Sequence, residues 1–213
     1  MTDILNLIAD KLYEGEVDTV TSLIKDALQQ GILPEDILHS GLMSGMDHVG
    51  RDFKCGDLYV PEVLVAARAM HAGMDLLRPL LSQTSAAYSG KYVIGTVKGD
   101  LHDIGKSLVK LMLEGAGFTG IDLGTDVTPE AFMNAVRENK PDIVAMSALL
   151  TTTMTEMKNI IEAMEDANLR QSVKILVGGA PVTQAYAQEI GADGYAPDAA
   201  RAVDVAQSLL GNR

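Results

Sequence analysis

The chain predicts an α + α/β fold: a four-helix bundle first, then a five-stranded parallel sheet covered by helices on both faces. Three observations lead there. Residues 1–82 carry hydrophobic spacing of helical period only. Residues 91–213 alternate short apolar runs with amphipathic segments. Between the two, residues 83–90 read QTSAAYSG, small and polar as a linker is.

Ile4, Leu5, Ile8 and Leu12 form a first helical stripe. Val17, Val20, Leu23, Ile24, Ala27 and Leu28 form a second, which Gly31 stops. Pro34 stands near the start of a third helix carrying Ile37, Leu38, Leu42, Met46 and Val49. Pro61 takes a first-turn position, where its missing N–H costs nothing, ahead of a fourth helix over 63–77. Past the linker, strands are expected at 93–97, 120–123, 143–147, 174–177 and 194–196. Helices are expected at 104–115, 129–139, 154–167, 183–190 and 199–210. Strict alternation implies parallel strands joined by right-handed crossovers. In such sheets ligands bind beyond the carboxyl ends of the strands, near a switch in strand order. The loops after Val97, Leu123, Ser147 and Val177 are therefore the places to search.

Composition narrows the function. Seventeen Lys and Arg face twenty-nine Asp and Glu, a net charge of −12. That argues against nucleic acid and against an anionic membrane surface as partners. No apolar run approaches the ~20 residues of a membrane-spanning helix. The acidic start MTDILNLIADKLYEGE lacks the basic region of a signal peptide. Cys55 is the single cysteine, which excludes an internal disulfide and a multi-cysteine zinc or iron–sulfur site, and fits a cytoplasmic location. With no Trp and 11 Met, the core must be aliphatic, with thioethers filling irregular gaps. Met70 and Met74 read as such core residues.

The first loop reads Lys98-Gly99-Asp100-Leu101-His102-Asp103-Ile104-Gly105-Lys106-Ser107. Gly-Lys-Ser looks like a phosphate loop, but Asp100 stands where that motif needs its first glycine. What the loop offers is a histidine between carboxylates. Histidine is the commonest metal ligand, and a carboxylate on its other ring nitrogen fixes the tautomer. A solvated loop histidine is the plain alternative. The third loop, Met146 to Thr153, is dense in hydroxyls, for which helix N-capping is the plain reading, at Thr153 above all. The fourth carries Gly178-Gly179, either a tight strand-to-helix turn or room for another group against the backbone. His39, His48 and His71 stand at non-chelating spacings, and Cys55 has only Lys54 beside it to favour a thiolate.

Asp100, His102 and Gly105 as Asp-x-His-x-x-Gly, Ser147 and Leu149 as Ser-x-Leu, and Gly178-Gly179 together resemble the cobalamin-binding module of methyl-transferring corrinoid proteins. That family includes the cobalamin region of methionine synthase. The likeness is closer still to the small corrinoid proteins of methanol, methylamine and aryl-methyl-ether methyltransferase systems. Residues 35–81 resemble the family's helical cap: Met46-Asp47-His48-Val49-Gly50, then Phe53, Gly56, Val60-Pro61 and Ala66-Ala67-Arg68-Ala69-Met70.

The resemblance implies a helical cap over 1–82, a linker over 83–90 and a flavodoxin-like, Rossmann-like domain over 91–213. It implies cobalamin bound base-off/His-on. His102 would replace the cofactor's dimethylbenzimidazole as the lower cobalt ligand, the one metal-binding side chain. Asp100 would accept the other imidazole N–H, and Thr153, six residues beyond Ser147, would continue that relay where the family usually has Ser. Gly99, Leu101, Asp103, Ile104 and Gly105 would complete the loop against the cofactor. The displaced nucleotide tail would lie where Gly178 and Gly179 give room, with Ser147 and Thr151 hydrogen-bonding to it and Asp198-Ala199 at the far end, and Leu149 of the Ser-x-Leu motif would also bind the cofactor. Asp122, Leu123 and Gly124 would pack under the corrin edge. Phe53 and Val60 would cover the upper face, Val60 standing where methionine synthase has leucine.

The implied function is methyl carriage. Cobalt(I) takes a methyl group on a substrate-specific methyltransferase, and methyl-cobalt(III) yields it to a second methyltransferase acting on tetrahydrofolate or a thiol. A reductive activator would restore cobalt(I). The chain alone would not be a complete catalyst. The alternatives are a regulatory cobalamin-sensing module, against which the missing basic patch counts, and an adenosylcobalamin mutase small subunit, which usually lacks the cap. A cofactor-free interaction domain would leave His102 and the glycine pair unexplained.

Overall fold

The computed structural model describes residues 2–81 and 89–211, divided between two compact units, Met1–Ala87 and Tyr88–Arg213. Residues 83–88 of the expected linker lie outside the described residues, and Gly90 already opens the first strand.

The first unit is helical: α1 (Thr2–Tyr13), α2 (Val17–Gln29), α3 (Pro34–Asp36), α4 (Ser44–Cys55) and α5 (Val60–Leu81). The expected third helix is thus built from α3, a π-helical stretch Ile37–Met43 and α4. Wider i→i+5 turns slow the rotation of side chains about the axis. Ile37, Leu38, Leu42, Met46 and Val49 are all brought to the buried side, which an uninterrupted α-helix would spread more widely. Ile8, Leu12, Val20, Ile24, Val63, Met70 and Leu77 complete that core, while Met74 is half-buried. Gly45 lets α4 approach α1, since a Cβ there would lie 2.8 Å from the Ala9 carbonyl oxygen. Tyr13 ties the same two helices by donating to Asp52 Oδ2 at 2.7 Å.

The second unit has five parallel strands, β1 (Gly90–Thr96), β2 (Phe118–Asp122), β3 (Ile143–Ser147), β4 (Lys174–Gly178) and β5 (Gly194–Ala196), in the order β2-β1-β3-β4-β5. The connecting helices are α6 (Ile104–Gly115), α7 (Pro129–Asn139), α8 (Glu156–Asp166), α9 (Gln184–Glu189) and α10 (Ala199–Leu209). Both faces are packed, so the strands read as near-continuous apolar runs. Val93, Val144, Met146, Ile175 and Val177 meet Phe132 of α7 and Ile160, Ile161 and Met164 of α8. Tyr92, Ile94, Ala145 and Leu176 meet Leu113 of α6 and Ala202 and Ala206 of α10. The chain runs from β1 outward to β2 and then back to β3 on the other side of β1. The switch in strand order therefore falls between β1 and β3, where such sheets bind ligands. Among the described residues no helix is long and apolar enough to cross a membrane.

Candidate functional site

The loops after β1 and β3 meet at that switch through one carboxylate. Asp100 has no exposed surface. Its Oδ1 lies 2.6 Å from His102 Nδ1 and accepts the His102 backbone N–H at 3.1 Å. Its Oδ2 accepts from the Leu149 backbone N–H and from the Thr153 hydroxyl, each at 2.7 Å. Burial alone would push this carboxyl up. The hydrogen bonds from Thr153, Leu149 and His102 outweigh burial and hold it well below the usual carboxylate range. An ionised carboxylate only accepts, so the proton between them sits on His102 Nδ1. In the neutral ring that leaves the Nε2 lone pair uncommitted, on a side chain 52% exposed.

Other bonds shape the loop. Thr96, fully buried, donates its hydroxyl to the His102 carbonyl at 2.9 Å. Asp126, in the left-handed region at φ +56°, accepts the Gly99 N–H on Oδ1 at 2.7 Å and donates its own N–H to the Asp100 carbonyl at 3.0 Å. On the far side of His102, Asp103 Oδ1 lies 2.8 Å from Lys106 Nζ. Lys106 also reaches both oxygens of Asp122 at 2.6 Å. Burial works against its charge, but the bonds to Asp103 and Asp122 prevail and raise the ammonium above its ordinary value. Asp122 Oδ1 further accepts the Gly124 N–H at 2.9 Å.

Around the histidine the surface is apolar and exposed: Leu101 by 74%, Ile104 by 82%, Leu149 and Leu150 by 43% each. Gly105 stands among them in the first turn of α6, where a Cβ would meet nothing within 4 Å. A helical glycine in open space costs roughly 1 kcal/mol relative to alanine, with no return inside the protein itself.

The remaining expected residues fall along the same end of the sheet. Ser147 ends β3 and is the register partner of both Thr96 and Gly178. Thr151 is exposed in the turn after β3. Thr153 does not cap a helix: α8 starts only at Glu156, and the Thr153 hydroxyl serves Asp100 and lies 3.1 Å from the Leu150 carbonyl. The glycine pair has reasons of its own. A Cβ on Gly178 would lie 2.9 Å from the Ala196 carbonyl oxygen. Gly179 has φ +128°, and a Cβ there would lie 1.8 Å from the Ala148 oxygen. Asp198 caps α10, accepting the Arg201 N–H at 2.8 Å, and Ala199 is buried behind it. Phe53 and Val60 belong to the helical unit, each half-buried. Among the described residues no three His, Cys, Asp or Glu side chains converge to hold a metal ion. His102 is a single donor.

Sequence reasoning missed Thr96, Lys106 and Asp126. Lys106 had a signal, the Gly-Lys-Ser run one turn past the histidine. Asp126 and Thr96 had none, because each bonds to the backbone of the histidine loop, a pairing that only the fold sets.

A family model described as a B12 binding domain matches residues 90–204, and a second of the same description matches residues 4–78. The chain is 41% identical to a corrinoid protein of Desulfitobacterium hafniense, covering 98% of each. It is 42% identical to the dimethylamine corrinoid protein of Methanosarcina barkeri, again over 98% of each. Among solved structures it resembles the methanol:cobalamin methyltransferase complex of Methanosarcina barkeri, with a TM-score of 0.88 at 30% identity, over 99% of this chain and 81% of that one.

Proposed function

The chain belongs to the corrinoid proteins of methyltransferase systems, a family built on B12 binding domains, and on that premise we propose that it is a corrinoid methyl carrier using His102 as the lower cobalt ligand. The observation that carries the ligand assignment is the buried Asp100 holding Nδ1 of His102 and leaving Nε2 outward at the switch in strand order. The surroundings fit a cobalamin. Leu101, Ile104, Leu149 and Leu150 offer an apolar floor for a broad flat ring, and Gly105 keeps that floor free of a Cβ. Bound there, the cofactor would supply a cobalt centre able to carry a methyl group between donor and acceptor.

The chain's own residues do the rest. Asp100 holds the imidazole in one tautomer and orientation, and Thr153 and Leu149 hold Asp100. Gly99, Asp103 and Ile104 shape and flank the loop, while Asp122 and Gly124 fix the neighbouring corner under the ring edge. Ser147, Thr151, Gly178, Gly179, Asp198 and Ala199, along the same end of the sheet, would hold the nucleotide tail that His102 would displace. Residues of the helical unit would act as a cap on the cofactor, to which Phe53 and Val60 would contribute, and the cofactor-binding domain begins with β1 at Gly90. The partners are a substrate-specific methyltransferase, a second methyltransferase delivering to tetrahydrofolate or a thiol, and a reductive activator, all in the cytoplasm. The match of residues 4–78 to a B12 binding domain supports the capped carrier over a mutase subunit.

Titrating the cofactor-free chain with cobalamin and recording the visible spectrum tests the proposal. Saturable binding with a spectrum that His102→Ala alters supports it. Saturable binding with the same spectrum in both proteins rejects the ligand assignment, and no binding rejects the carrier.

A further inference from the structure

Lys106 is a buried cation that the proposed chemistry does not use. It is 2% exposed and stands in the first turn of α6, four residues after His102. Its Nζ faces two carboxylates from different parts of the chain, Asp122 at the end of β2 and Asp103 beside His102. Lys110, one turn further, lies 3.8 Å from Asp122 Oδ2, so two cations meet two anions. Asp103 occupies the N-cap of α6, yet its carboxylate caps no backbone N–H. It is taken instead by Lys106 and by the Ser107 hydroxyl, which donates to Oδ2 at 2.8 Å. An Asp at that position ordinarily stabilises its helix by accepting a backbone N–H, and here that contact is forgone.

Burying an ammonium is costly, and an apolar pair often stabilises a fold as well as an ion pair does. What a bridge of this kind adds is register, one fixed placement of two segments. Asp100 fixes the His102 ring and Thr96 fixes its carbonyl. Neither fixes the stretch where the loop turns into α6, and that is where Asp103 is held. We propose that Lys106 is a positioning residue: by binding Asp103 and Asp122 together, it locks the C-terminal side of the histidine loop to the end of β2 and so sets how far His102 stands toward the cobalt. The inference rests on His102 being the lower ligand.

The test uses the full chain loaded with cobalamin and reduced to cobalt(II), whose electron paramagnetic resonance separates histidine-ligated from unligated metal. Wild type, His102→Ala, Lys106→Met, Lys106→Arg and Asp103→Ala are compared. Lys106→Met is expected to lower the ratio of ligated to unligated cobalt about tenfold, the range for residues that orient a metal ligand. Lys106→Arg should restore most of it. Asp103→Ala leaves the buried Lys106–Asp122 pair intact, so it carries the test if Lys106→Met does not fold, and it should shift the ratio in the same direction. A folded Lys106→Met or Asp103→Ala with the wild-type ratio overturns the inference, including when thermal stability falls, because Lys106 is then only structural. Identical spectra for wild type and His102→Ala would instead remove the ligand assignment on which it rests.

Discussion

Asp100 Oδ1 and His102 Nδ1 lie 2.6 Å apart, the first on a side chain without exposed surface and the second on one half in solvent. The pair joins the interior of the sheet domain to its surface. Replacing Asp100 with Asn keeps the shape but puts an NH2 group among four donors. About 1–3 kcal/mol of stability should be lost at neutral pH, the usual cost of a buried polar group left unmatched. Urea unfolding of the cofactor-free proteins measures it.

The same residue gives the pH dependence a sign. Asp100 is held well below the usual carboxylate range, so its folded pKa lies below its unfolded one. Its contribution is complete above about pH 4 and is lost as pH falls from there through the depressed folded value. Wild type should therefore lose stability more steeply than Asp100→Asn on acidification below about pH 4. Parallel curves from urea unfolding at a series of acidic pH values would contradict the assignment.

Thr153 offers a finer test of the relay. Thr153→Val removes one of the donors to Asp100 and should cost about 1 kcal/mol in the cofactor-free protein. Thr153→Ser keeps the hydroxyl and should recover most of that, as measured by denaturant midpoint. Equal losses in the two variants would mean that the methyl group, not the hydroxyl, matters there.

The glycines divide into two kinds. Gly105→Ala meets open space within a helix, so the cofactor-free chain should gain about 0.5–1 kcal/mol. Cobalamin affinity should fall, because the added methyl group stands where the ring would lie. Gly178→Val drives its side chain toward the Ala196 carbonyl and should cost the cofactor-free protein about 1–3 kcal/mol, whatever binds nearby. Thermal unfolding and spectral titration of both variants check the contrast. Wild-type affinity in Gly105→Ala would show that no ring rests there.

Much of this was legible in the chain. Parallel strands buried on both faces announce themselves as apolar runs, which is why β3 and β5 coincide with the expected 143–147 and 194–196. His102, Asp100 and Thr153 were legible as a group because the family motif holds them at fixed spacing, and the structure joins them directly. The π-helical turn at Ile37–Met43 was not, since hydrophobic spacing tolerates a phase drift of that size. Nor were Asp126 and Thr96, which bond to the backbone of the histidine loop, because sequence carries no pattern for a partner set only by the fold.

The central claim is that His102 displaces the cofactor's own base, and isotope labelling of the ligand tests it most directly. The chain is labelled with 15N-histidine, loaded with unlabelled cobalamin and reduced to cobalt(II), and its electron paramagnetic resonance spectrum is recorded. A histidine ligand predicts that each cobalt line splits into a doublet from 15N, in place of the triplet given by unlabelled protein, and that His102→Ala loses the splitting altogether. A triplet that persists in the labelled protein would mean that the 14N of dimethylbenzimidazole still holds the metal, and would contradict the account.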